Sequence, residues 1–182
     1  WAIATMMLAI YWFDRKQYLN SSLVLALSIS TKFLPIFLLI PIAFILWRDA
    51  KAKELVKYVA VVALTWLAIN APFALTTPTG WWRFYKLNLE RGADWGSIWL
   101  ALEQLGLSLT NLNYLSVLLL LIALTTVAIL LFELKYTPTL ASVAFIVLAS
   151  VMLASKVYSP QYVLWLTPLA VIALTNKKDL HA

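Results

Sequence analysis

Ser155-Lys156-Val157-Tyr158-Ser159-Pro160-Gln161-Tyr162-Val163-Leu164-Trp165-Leu166 sets a cation, a proline and an amide between two strongly apolar runs. In a bilayer Lys156, Pro160 and Gln161 stand together only at the surface or in a polar cavity, because hydrocarbon leaves their polar groups without partners. Whether the flanking runs are membrane spans therefore decides both the fold and the meaning of the stretch. Of the 182 residues 63% are hydrophobic and 12% charged, with a mean hydropathy of +0.87, more apolar material than one soluble core needs. The expected fold class is all-α: a polytopic transmembrane helical bundle, with about five to seven membrane segments in one domain over 1–182. The expected location is the cell membrane, multi-pass, or the ER membrane in a eukaryote.

Outward from the stretch, residues 139–154 cross toward it, and residues 162–175, with Pro168 inside, return to end at Asn176-Lys177-Lys178-Asp179. Residues 112–132 form the cleanest membrane helix, followed by the turn Glu133-Leu134-Lys135-Tyr136-Thr137-Pro138. Residues 56–75 are another clear span, with Asn70 and Pro72 near its outer end. Between these spans, residues 76–111 form the longest polar region, expected as an extracytoplasmic loop with an interfacial helix. The loop opens on the turn cluster Thr76-Thr77-Pro78-Thr79-Gly80. Residues 81–91 then mix rings and charges as an interfacial helix does, with rings at headgroup level and cations reaching water or phosphate. Gly92-Ala93-Asp94-Trp95-Gly96-Ser97 breaks that helix, and residues 98–105 make a short apolar helix that dips into the surface.

Residues 1–13 end a membrane helix but are too short to cross, which takes about 20 residues; the chain is therefore expected to be the C-terminal part of a longer protein. The 27 residues from 21 to 47 are apolar except for Thr31-Lys32 and are interrupted by Pro35 and Pro41. They are too few for two full crossings and many for one. Both flanks are basic, with Arg15 and Lys16 before and Arg48, Lys51, Lys53 and Lys57 after, and the positive-inside rule favours both on the cytoplasmic side. The segment is then a bent, short-armed hairpin with Lys32 and Pro35 near its apex. The alternative is one long tilted helix with Lys32 snorkelling.

On this topology nine Lys and Arg residues are cytoplasmic (Arg15, Lys16, Arg48, Lys51, Lys53, Lys57, Lys135, Lys177, Lys178) and four lie opposite (Arg83, Lys86, Arg91, Lys156), the asymmetry the rule expects. Lys32, residues 81–97 and residues 156–162 then converge on the outer face. Their cations, interleaved with Tyr85, Tyr158, Tyr162 and Trp165, suit a ligand with an anionic head, a sugar and a lipid tail. Cations neutralise phosphate oxygens, and aromatic faces pack against the C–H faces of a sugar or a lipid chain. Where phosphate is the leaving group, fixed cations also stabilise the charge it develops.

Plainer uses stand beside these. Arg83 and Lys86 are expected first as headgroup anchors, Trp81, Trp82 and Trp95 as aromatic-belt residues, and Pro35, Pro41 and Pro168 as kinks or breaks. With no Cys and a single His181 in the polar tail, a disulfide framework and a zinc site are excluded, and no metal or cofactor is expected. The formal charge of +6 is scattered singly along the chain, unlike the gathered basic face of a nucleic-acid binder.

Lys156-Val157-Tyr158-Ser159-Pro160-Gln161-Tyr162-Val163-Leu164-Trp165 resembles the C-terminal motif of glycosyltransferase family 87, the polyprenol-phosphate-mannose-dependent mannosyltransferases of bacterial envelopes. Thr31-Lys32-Phe33-Leu34-Pro35 is similar to the family's Lys-x-x-Pro segment, and Arg91-Gly92-Ala93-Asp94-Trp95-Gly96-Ser97-Ile98-Trp99 to its Arg...Ser-x-Trp loop. The resemblance implies a GT-C fold that moves a hexose, with inversion, from a polyprenyl-phosphate sugar donor to a glycolipid or glycan acceptor on the extracytoplasmic face, among membrane lipids. It implies that Lys156 and Lys32 meet the carrier phosphate, Gln161 and Tyr162 the sugar or phosphate hydroxyls, and Arg91 the phosphate or acceptor, with Tyr158 and Trp165 completing the motif. Such enzymes take the acceptor proton with an Asp or Glu in an early outer loop; that base is expected upstream of Trp1, with Asp94 the fallback inside the chain. A transporter or flippase with a discontinuous site around 21–47 and Pro160 is the competing class, although no internal repeat supports it; a non-catalytic membrane subunit is the other.

Overall fold

The computed structural model describes residues 1–175, and within them the chain is all-helical, with no strand. Lys177, Lys178 and His181 lie outside the described residues. Two helices are long and apolar enough to cross a bilayer: α4 (Ala52–Thr76, 25 residues) and α7 (Leu112–Glu133, 22 residues). Helix α7 leaves Leu118, Leu121, Ile122 and Leu130 each more than half exposed.

The first two helices, α1 (Ala2–Asp14) and α2 (Tyr18–Thr31), pack as a close antiparallel pair. Serines make the seam. The Ser28 hydroxyl donates to the Ala2 carbonyl (2.7 Å) and the Ser21 hydroxyl to the Ala9 carbonyl (2.7 Å). A serine lets backbones approach closely and takes its hydrogen bond from a neighbouring carbonyl. Ser21 also meets the Tyr58 hydroxyl of α4 at 2.7 Å, and Ser30 meets Asn70 further along, so α2 and α4 run in the same direction.

Between α2 and α4 the chain must reverse, and it does so at Lys32. That residue is extended (φ −153°, ψ 133°), a 3₁₀ turn follows over Leu34–Leu38, and α3 (Leu39–Arg48) runs back. Lys51, just past α3, donates to the Tyr18 hydroxyl at the start of α2 (3.1 Å). Residues 21–47 are thus the hairpin and not the long tilted helix. Pro35 supplies the cause, since it has no N–H for the Thr31 carbonyl four residues earlier and its ring crowds that carbonyl, so the ladder of α2 cannot continue through it.

Arg48 then reaches across to the carbonyls of Leu131 (2.9 Å) and Leu134, tying the end of α3 to the end of α7. Helix α8 (Leu140–Ala154) threads the interior, with Leu140, Ala144, Leu148 and Met152 buried in the core formed by Met6, Leu25, Leu38, Ile42 and Leu46. A 3₁₀ turn (Pro160–Tyr162) leads into α9 (Val163–Thr175). Both helices expected in the region 76–111 are present, α5 (Pro78–Glu90) and α6 (Ile98–Gln104). The region's opening turn is shorter than the cluster at 76–80 suggests. Only Thr77 leaves the helical path, because Pro78 sits at the first position of α5, where a missing N–H costs nothing.

The Ser21–Tyr58 pair is fully enclosed, with Tyr58 2% exposed. Tyr58→Phe should cost about 1 kcal/mol, whereas Ser21→Ala, which strands the Tyr58 hydroxyl, should cost about 1–3 kcal/mol. In denaturant unfolding the double variant should lose less than the sum of the two.

Candidate functional site

At the end of the bundle opposite Lys51, four segments meet: the hairpin apex, α5, the loop 91–97 and the stretch 155–162. They surround a cleft of about 720 Å³ whose lining includes Lys32, Arg91, Gln161 and Tyr162 beside the apolar Phe33, Phe37 and Phe84. Because the helix breaks at Lys32, this side chain turns out of the ladder into half-buried space. Its ammonium lies 5.3 Å from the centre of the Tyr162 ring and 5.8 Å from that of Trp165. Both are cation–π distances. Trp165 is buried in the core at 3% exposure, so it fixes one wall beside the cation. Among the described residues no carboxylate or carbonyl is paired with the Lys32 ammonium.

Lys156 is placed differently. Its ammonium donates to the carbonyls of Asn88 (2.9 Å) and Leu89 (3.3 Å) and to the Asn113 side-chain oxygen. These are carbonyls of the last turn of α5, which have no partners within the helix and are favoured by a cation. Asn113, at the start of α7, adds its own amide donor to Leu89 (2.9 Å). Lys156 thus pins α5 to α7 and does not line the cleft. Partial burial and the nearby Arg91 charge hold its pKa below the ordinary lysine value.

The loop 91–97 is clamped to the same stretch by two backbone bonds, Asp94 N–H to the Lys156 carbonyl (2.9 Å) and Tyr158 N–H to the Trp95 carbonyl (3.1 Å). Asp94 pairs with Arg91 and accepts from the Trp95 N–H (2.7 Å). The Trp95 N–H first, and then the Arg91 guanidinium, hold its pKa below the ordinary aspartate value, and Asp94 does not line the cleft. Tyr158 turns toward Gly96 and packs edge-on against Tyr162 at 5.7 Å. Trp99, in α6, donates to the Ala154 carbonyl (3.0 Å) and anchors the loop from below.

No family model, curated protein or solved structure matches this chain.

Of the residues singled out from sequence, Lys32, Arg91, Gln161 and Tyr162 share the cleft, with Trp165 beside Lys32; Lys156, Tyr158 and Asp94 build its frame. Arg83 and Lys86 line a separate surface groove on α5, where Lys86 pairs with Glu90 at 3.6 Å. Asn88 and Ser159 also line the cleft, and sequence gave no separate reason to choose them. For Asn88 the signal is helical spacing from Trp81 and Tyr85, which puts the three on one face of α5.

Gly96 has φ +72°, and a Cβ there would sit 2.5 Å from the Tyr158 carbonyl oxygen. Gly96→Ala should therefore open the clamp. Hydrogen exchange at the amides of Asp94 and Tyr158 should rise at least tenfold, while the amides of α1 and α2 keep their protection.

Proposed function

We propose that the chain belongs to a polytopic membrane glycosyltransferase that moves a hexose, mannose in the first instance, from a polyprenyl-phosphate donor to a glycolipid or glycan acceptor on the extracytoplasmic face. One observation carries this proposal: a half-buried lysine, unpaired by any carboxylate among the described residues, lines an aromatic and apolar cleft that also holds Arg91 and Gln161. A cation with no counter-ion keeps its charge for a ligand, and a phosphate supplies the missing partner. The apolar walls fit the prenyl tail that comes with such a phosphate.

A bilayer setting is supported by the exposed apolar surface of α4 and α7, which water would penalise over so large an area. The direction is supported by charge: Arg48 and Lys51 gather at the end opposite the cleft, where cytoplasmic cations belong. In the transfer, the bond from the anomeric carbon to the phosphate oxygen breaks, the acceptor oxygen bonds to that carbon from the opposite face, and the acceptor proton leaves to a base. Lys32 and Arg91 stabilise the departing phosphate. The described lining of the cleft contains no carboxylate, so the role assigned to these residues is donor binding, and the base comes from elsewhere.

In lipid nanodiscs, Lys32→Ala should weaken binding of a mannosyl polyprenyl phosphate by about tenfold or more, the scale of one charge-assisted hydrogen bond. Lys156→Ala should instead lower the melting temperature and mobilise α5, with a smaller loss of affinity. Donor binding untouched by Lys32→Ala would remove the basis of the assignment. Cysteines placed singly at Lys32 and Gln161 should both react with an impermeant thiol reagent applied from outside intact cells; labelling only after permeabilisation would invert the topology.

A further inference from the structure

Lys32 faces two cavities. Besides the cleft, it lines a smaller, partly open chamber of about 350 Å³ between α2, α4 and α5, whose other walls include Ser30, Thr31, Trp66, Asn70, Trp81 and Tyr85. This is the low end of the ~300–1,000 Å³ range of ligand sites, room for one small group and not for a lipid tail.

The chemistry of its walls is selective. Asn70 donates its amide to the Trp66 carbonyl (2.9 Å) and toward the Ser30 hydroxyl (3.4 Å), and accepts from the Trp81 indole (3.2 Å). The hydroxyls of Ser30 and Thr31 donate to the carbonyls of Ala26 (2.9 Å) and Ser28 (2.8 Å). With their hydrogens committed, Ser30, Thr31 and Asn70 retain only acceptor lone pairs. Tyr85 keeps a hydroxyl with no hydrogen bond among the described residues, on a ring packed against Trp81 at 4.9 Å. Acceptors beside stacked rings match a neutral ligand that brings its own hydroxyl donors and an apolar C–H face. A phosphate group, which only accepts, finds donors there in the Tyr85 hydroxyl and in Lys32 at the boundary, and leaves the acceptors of Ser30, Thr31 and Asn70 unmatched.

We infer that this chamber is a sugar subsite, taking the hexose ring of the donor while Lys32 holds the phosphate at the junction and the prenyl tail runs into the larger cleft. The inference rests on the donor-binding role proposed above. The rings of Trp66 and Trp81, 6.4 Å apart at 60°, form two sides of a corner against which one face of a pyranose packs. Asn70 fixes one side of the corner by accepting from the Trp81 indole; its bond to Trp66 goes to that residue's backbone carbonyl.

Two probes separate the subsite from the rest of the site: a short-chain polyprenyl phosphate and its mannosyl ester, each titrated against the full chain in nanodiscs. The wild-type chain should bind the ester at least tenfold more tightly. Asn70→Leu and, separately, Thr31→Val, at two residues that line the chamber and not the cleft, should reduce that preference about tenfold or abolish it, while leaving affinity for the bare lipid phosphate within twofold. Thr31→Val keeps the side-chain shape, so it reports on the hydroxyl even where Asn70→Leu fails to fold. Lys32→Ala should weaken both probes alike. A preference for the ester that survives both chamber variants, while Lys32→Ala still weakens both probes, overturns the subsite and leaves the donor-binding role standing. Insensitivity of both probes to Lys32→Ala overturns the donor-binding role and the subsite with it.

Discussion

The last turn of a helix leaves carbonyls with no donor inside the helix, and the placement of donors for them organises this molecule. Arg48 serves the end of α7 and Lys156 the end of α5. Each is a cation on a distant segment, so satisfying the carbonyls also fixes the tertiary arrangement. Arg48 closes one end of the bundle by joining the hairpin to α7. Lys156 closes the other by joining α5, α7 and the stretch before α9. Neutral hydroxyls do the same work within the bundle, Ser21 and Ser28 bonding to carbonyls of α1.

This division of labour explains why two lysines that look alike in sequence have different chemistry. The ammonium of Lys156 is occupied by three oxygens, all belonging to the frame. Among the described residues that of Lys32 has aromatic faces alone, which stabilise a cation without neutralising it. The frame therefore holds Arg91, Asn88 and Tyr85 around a cation left available to a ligand. Asp94 follows the same logic, its charge being used to hold Arg91 and the backbone turn at Trp95.

Much of the fold was legible because its signals are local. The apolar lengths of 56–75 and 112–132 reappear as α4 and α7, and the break at Lys32 follows from Pro35 and from basic residues on both sides. The approach of three distant segments at one end was legible from charge asymmetry. The orientation of single side chains was not. Nothing in the order of residues distinguishes a lysine aimed at a ligand from one aimed at the last turn of α5, because that depends on α5 ending where Lys156 can reach it. The extent of the turn at 76–80 was missed for a simpler reason: Pro and Gly mark turns by propensity, yet Pro78 can equally begin a helix. The smaller chamber escaped because its walls come from α2, α4 and α5, and Ser30, Asn70 and Trp81 carry no common motif.

The arms of the hairpin are short. Helix α2 has 14 residues, a rise of roughly 21 Å at 1.5 Å per residue, against a hydrocarbon core about 30 Å thick. In the proposed bilayer setting, an apex raised on such an arm stops roughly 9 Å short of the far boundary. Lys32 is then sunk below headgroup level, and lipid beside the cleft must thin or admit water to meet it. The hairpin acts as a depth gauge: arm length, set by where Pro35 falls, fixes how far below the surface a phosphate has to be drawn before it meets its cation.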